Sequence, residues 1–250
     1  MDELYESVGT LAKLARSELD RYFSFEPSSA IVVPTQSQGG EKLFRAYSKA
    51  YGIADGEADA TWQRYKTGKI PGMSMSMFEL TGGKCDYAVL VSLNEPKVMH
   101  AVLGEEIAHG EHLAYHVRRL GSKSAYNAAF SGAAIEFFGG LGFAIVTKTL
   151  PDVRRMRYQP DFSKRDIDGN DLDHFVGYAI AEQLTGESNV PYKEIYKADS
   201  GNSIWSLVMR AVRPQIRVSV SPANSASTVD LLERHCESIG LKAKITPVAL

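Results

Sequence analysis

The stretch 97–120 constrains this chain more than any other part of it. Pro96 suits the first turn of a helix and Gly121 suits its end, so one long helix is predicted between them. At about 100° per residue, Glu105, His109, His112 and His116 fall within a stripe roughly 60° wide. Glu106 lies some 60° to one side of His109. Apolar residues normally fill the stripe that faces a core, and here four potential ligands occupy it. The plain alternative is a solvated helix face whose histidines are satisfied by neighbouring carboxylates.

Spacing narrows the chemistry. Side chains at i and i+4 meet on one side of a helix, close enough to hold a single ion. A carboxylate at i+1 then lies beside that ion, where it can take a proton from a bound water. Glu105, Glu106 and His109 have this arrangement.

Around that helix the patterning predicts an α+β fold, a small mixed sheet packed on the long helix and followed by a helical half. An amphipathic helix opens the chain from Leu4 to Phe23, and Ser29 to Val33 reads as a strand stopped by Pro34. A helix is expected over 41–51. Strands over 73–80 and 86–93 flank the turn Thr81-Gly82-Gly83 as a hairpin. Further helices are predicted over 124–150, 172–185 and 202–212. The tail reads strand 216–220, helix 228–239, strand 241–246, a βαβ pattern. This divides the chain into a domain over 1–189 and a small α/β subdomain over 190–250.

In this element order, and in the segment Glu105-Glu106-Ile107-Ala108-His109, the chain resembles the zincin metallopeptidases, the minimal gluzincins in particular. Their active-site helix carries His-Glu-x-x-His, and a later helix supplies a glutamate. Ala133-Ala134-Ile135-Glu136-Phe137-Phe138-Gly139-Gly140 fits that helix, because Glu136 is the only acid in a long apolar stretch. His174-Phe175-Val176-Gly177-Tyr178 is similar to a later helix that packs over the site in some relatives. The resemblance implies one divalent metal ion, zinc by family pattern, held by Glu105, His109 and Glu136, with His112 as the next candidate ligand. It implies Glu106 as general base, Tyr178 or His174 as oxyanion stabiliser, and a peptide or protein as substrate or partner.

Glu105 departs from the family, which has histidine there. Two carboxylates and one imidazole form a harder donor set, shifting preference toward manganese or iron. The extra carboxylate also raises the proton affinity of Glu106 when no cation is present. The departure either changes the metal or marks a domain that has lost catalysis.

Two other classes fit parts of the pattern. Glu106-Ile107-Ala108-His109, Asp171-Leu172-Asp173-His174, Glu136 and Glu182 could serve a ferritin-like carboxylate-bridged dimetal site, which needs four long helices. A non-catalytic binding or assembly module on the zincin-like fold is the other. A net charge of −2 argues against nucleic acid as partner. Arg154, Arg155, Arg157, Lys164 and Arg165 read as a solvated loop. Cys85 and Cys236 are too far apart in sequence for a thiolate site, and the N-terminus has no apolar run, so a reduced, cytoplasmic, membrane-free setting is expected. Asp166 to Asp173 reads as a helix-capping turn, not a calcium loop. His100 and His235 receive no role.

Overall fold

The computed structural model describes residues 2–155, 167–212, 215–220 and 225–249. Its first half holds α1 (Asp2–Phe23), β1 (Ala30–Pro34), α2 (Gln38–Ala50), α3 (Asp55–Lys66), β2 (Gly72–Ser76), α4 (Phe78–Thr81), β3 (Tyr87–Val91) and α5 (Pro96–Leu120). The second half holds α6 (Lys123–Ala129), α7 (Gly132–Val146), α8 (Pro151–Arg154), α9 (Gly169–Leu184), α10 (Tyr192–Lys197) and α11 (Gly201–Val212). It ends with β4 (Gln215–Val220), α12 (Ser225–Ser238) and β5 (Lys244–Ala249). The architecture is α+β and 67% helical, so the strands form a thin layer against a helical bulk.

The three-stranded sheet runs in the order β1-β3-β2, with β1 parallel and β2 antiparallel to β3. Strand periodicity divides the interior in two. Tyr87, Val89 and Val91 face the large core with α1, α5 and α7. Ala88 and Leu90 join Met75 and Met77 against Phe44, Trp62 and Tyr65 of α2 and α3. The β1–β3 pair is parallel, so α2, α3, β2 and α4 lie between its strands in sequence. The expected hairpin is present in its β2–β3 pairing, but strand 73–80 ends at Ser76. Phe78–Thr81 is a turn of helix closed by Gly82 at φ 60°.

α5 runs from Pro96 to Leu120 and ends on Gly121 at φ 85°, a left-handed position that suits glycine. It packs against α1, α7, β2 and β3, which buries most of it. The single helix expected over 124–150 is two. Phe130 and Ser131 are extended, the Ser131 hydroxyl accepts from the Ala134 N–H, and α7 leaves at 96° to α6. Continuous apolar sequence hid that break, since a serine cap inside an apolar run leaves the helical pattern intact.

α3 was not anticipated. Only Ala58, Trp62 and Tyr65 of it are buried, too sparse a stripe to stand out. Nor does the packing break at residue 190. Ile195, Tyr196, Ile204, Trp205 and Val208 join the same core as α5 and α7, as do Leu232, Cys236, Leu241 and Ile245. β4 and β5 pair in parallel across α12, as the βαβ pattern predicted. Strands and shorter helices occupy 30–91, while the long helices α1, α5, α7 and α9 pack in succession around the large core. Among the described residues no single helix is long and apolar enough to cross a membrane. Arg157, Lys164, Arg165 and Asp166 lie outside the described residues.

Candidate functional site

A cleft of about 830 Å³ opens between β2, α5, α7 and α9. Glu105, Glu106, His109, Glu136, His174 and Tyr178 all line it. α5 presents the first three from two adjacent turns. α7 contributes Glu136, and α9 contributes His174 and Tyr178. Among the described elements, α7 packs most extensively against α9 and α5. Gly177 permits it, since a side chain there would strike the α7 backbone at Phe137 N, 2.7 Å away.

Glu136 is the hub. Its Oε2 lies 3.0 Å from His174 Nε2 and 3.5 Å from His109 Nε2. Burial pushes the Glu136 carboxyl up, but the hydrogen bond and charge of His109, together with the charge of His174, hold it below the usual value. Burial alone would lower the proton affinity of His109. Glu136, and then Glu106 and Glu105, outweigh that and raise it to about 9.

Glu105 faces Tyr178 across the cleft, and burial keeps its proton affinity raised against the opposing influence of Tyr178 and of His109. Burial also pushes the Tyr178 hydroxyl well above its ordinary value, with the charge of Glu105 adding to it. Glu106 is buried beside the edge strand. Burial and the Glu105 charge raise it to about 8, against the opposing pull of His109 and the Ser74 hydroxyl. Ser74 Oγ also donates to the Glu106 carbonyl, and Gly72 lets β2 approach the helix, since a side chain there would meet Glu106 and Val102.

Sequence reasoning missed Gly72 and Ser74. The signal was the Met73-Ser74-Met75-Ser76-Met77 alternation. Ser74 pairs with Val89 on the α5 side of the sheet, whereas Met75 packs on the other side. β2 is also an edge: β3 occupies one side of it, and its other side carries no strand among the described residues.

The lower half of the stripe does not reach the cleft. His112 is fully buried, its ring stacked 3.7 Å from Phe138 and its Nδ1 2.9 Å from the Tyr126 hydroxyl. His116 Nε2 donates to the Tyr196 carbonyl at 3.1 Å. Burial lowers both, His116 to about 4, so they are neutral core residues. The expectation of His112 as a reserve ligand meets an apolar wall here, because α6 and α7 cover that face of α5. His100 and His235 pair with Glu18 and Asp173, away from this cluster.

Imidazole nitrogens and carboxylate oxygens are donors that a divalent cation accepts, and three carboxylates surround His109 in the cleft. In kind, the residues fit an ion. In arrangement they stand as pairs: among the described residues no three histidine, cysteine, aspartate or glutamate side chains are gathered as a ready-made ion site. No protein-family description matches the chain, and no curated protein or solved structure aligns with it.

Proposed function

We propose that this chain is a zincin-like, metallopeptidase-related domain that binds an extended peptide along β2 and holds one divalent cation at His109 and Glu136. The observation that carries the reading is the placement of Glu106. It sits in a cleft beside the open edge of a strand, one residue from Glu105 and within electrostatic reach of His109 and Glu136. The order of elements before α5 and a glutamate on a later helix also support it.

A strand edge offers unpaired N–H and C=O groups that an added peptide strand satisfies, which fixes the scissile bond over the cleft floor. A bound cation supplies Lewis-acid polarisation of a carbonyl and a more acidic water. The chain supplies proton transfer and orientation. Glu106, with its proton affinity near neutrality, accepts a proton from water and passes it to the leaving amine. The Tyr178 hydroxyl, which lines the same cleft, donates toward developing negative charge.

The test combines metal analysis of untagged protein with hydrolysis of a peptide library. About one zinc, manganese or iron ion per chain is expected. Glu106→Gln should retain the ion and lose hydrolysis by at least roughly 100-fold. Hydrolysis that survives Glu106→Gln unchanged, or a parent protein that takes up none of these ions, overturns the reading.

Glutamate in place of histidine at position 105, facing Tyr178 in the cleft, favours a second reading, a peptide-binding module without turnover. Glu105→His separates the two. A gain of hydrolysis favours the enzyme, and tight peptide binding with no gain favours the module.

A further inference from the structure

We infer that the cleft takes peptides bearing a glutamate or aspartate side chain, and that Lys123 binds this carboxylate at the Leu113 end of the cleft. The inference rests on the peptide-binding reading above and names its substrate class. It requires neither a metal ion nor turnover.

Lys123 is a cation held by aromatic rings and a hydroxyl rather than by a carboxylate. It is half-buried and lines the same cleft as Glu106. Its Nζ lies 4.9 Å from the Tyr47 ring centroid and 4.6 Å from that of Tyr51, and it donates to the Tyr47 hydroxyl. The two rings stand 4.6 Å apart at the end of α2, as two walls beside the ammonium. Ring faces attract a cation without neutralising it. Glu79 of α4 is turned to other donors: its Oε2 accepts the Lys123 backbone N–H at 3.1 Å and the Tyr51 hydroxyl at 3.2 Å. Among the described residues no ion pair joins a carboxylate to the Lys123 ammonium. A fixed, partly desolvated ammonium gains more from an entering carboxylate than a fully hydrated surface lysine does.

The cleft has the length for that carboxylate to belong to a bound peptide. On α5 its lining runs from Val98 through Val102, Glu106 and His109 to Leu113, a rise of about 22 Å. An extended peptide covers this with about six or seven residues. β2 lies along the Glu106 part, where a side chain at Gly72 would meet Val102 and Glu106. α6 closes the Leu113 end, since the Tyr126 ring contacts His112 and His116 on the last turns of α5, and α6 carries Lys123 there. From Glu106 to Leu113 is about 10 Å along the helix, or about three extended residues. An acidic side chain about three residues from the bond over Glu106 therefore meets Lys123. Arg64 and Lys69, which precede β2, also line the cleft; both are exposed and joined to no carboxylate among the described residues.

The experiment measures binding of fluorescently labelled, C-terminally amidated peptides of about seven residues to the metal-free full chain, by anisotropy. The peptides differ only in carrying glutamate or glutamine, placed at each position in turn. At one position, or at two neighbouring ones, glutamate should bind about tenfold tighter than glutamine. Lys123→Met should abolish the preference while binding of the glutamine peptide persists, and Lys123→Arg should restore it. Circular dichroism confirms that each variant folds. Equal binding of glutamate and glutamine peptides by the parent at every position overturns this inference and leaves the peptide-binding reading standing. So does a preference that survives in folded Lys123→Met, or a glutamine peptide whose free C-terminal carboxylate replaces the acidic side chain in full. A parent chain that binds none of the peptides overturns both.

Discussion

Two ends of α5 carry the same residue types in opposite states. His109 is raised to about 9, and His116, two turns on, is lowered to about 4. Burial alone would lower both. What differs is the facing surface: Glu136, Glu106 and Glu105 surround His109, whereas the rings of Tyr115, Tyr126 and Phe130 and one backbone carbonyl surround His116. The carboxylates differ in the same way. Glu111, at the core end, is fully buried and receives Arg16 Nε at 2.6 Å, the Ser28 hydroxyl at 2.7 Å and the Tyr87 hydroxyl at 3.0 Å. At the cleft end three carboxylates share two imidazoles. The core end gives its carboxylate an arginine and two hydroxyl partners, whereas the cleft end leaves carboxylates and imidazoles competing for protons where a ligand can enter. A helical stripe is therefore not a functional unit.

The first way to break this contrast is to move the helix that both ends share. A Cβ at Gly142 would lie 2.1 Å from the Gly104 carbonyl oxygen, and backbone cannot yield as a side chain does. Gly142→Ala should cost about 3 kcal/mol or more in urea unfolding, with both ends disturbed together. A cost below about 1 kcal/mol would mean that α5 and α7 separate easily, and the rigid frame assumed for both ends would fall.

A smaller effect isolates the core end. His112→Ala removes a ring stacked on Phe138 and leaves the Tyr126 hydroxyl without that partner. The expected loss is about 2–3 kcal/mol in urea unfolding. Zinc affinity should be unaltered, because His112 does not line the cleft. Weakened zinc binding in a folded His112→Ala protein would return His112 to the ligand set.

Acid titration sharpens the contrast further. The folded-state value of His116 lies below its ordinary value, so its contribution is complete above about 6.5 and is lost as pH falls toward about 4. The folded-state values of His109 and Glu106 lie above their ordinary ones. Their contributions are complete at low pH and are lost as pH rises through about 9 and about 8. Stability of the metal-free chain should therefore fall on both sides of neutrality. His116→Gln should flatten only the acid side, by about 2 kcal/mol once solvent screening is allowed for. Flattening on the alkaline side instead would contradict the assignment of the two histidines.

Legibility in the sequence followed the physics of each element. α5 was read to within a residue because Pro96 and Gly121 bracket it, and β1 was read because its β-branched run stops at Pro34, whereas the strand expected over 73–80 ends at Ser76, before the helical turn Phe78–Thr81. Period 3.6 placed Glu105, His109, His112 and His116 on one face, but it carries no information about what covers each turn of that face. The sharp exit of α7 at Ser131 decides that, and in sequence it is one polar residue in an apolar run. Glu136 was legible because an acid inside such a run needs a partner. The tie between His174 and Glu136 was not, since it depends on how α9 packs across α7.

The smallest effect on stability addresses the cleft end alone. A Cβ at Gly139 would lie 2.1 Å from His109 Nε2, and its three nearest neighbours are all atoms of that ring. Unlike the Gly142 contact, this one can be relieved by rotating a side chain. The off-rotamer cost to His109 is about 0.5–1.5 kcal/mol, and alanine gains about as much over glycine inside a helix. Gly139→Ala should thus change unfolding free energy by less than about 1 kcal/mol while turning His109 away from Glu136. In the metal-free protein, histidine NMR should then show His109 titrating well below 9 and His116 still near 4. If His109 keeps its high value in this variant, Glu136 is not what raises it. The contrast between the two ends of α5 would then need a source outside the α5–α7 contact.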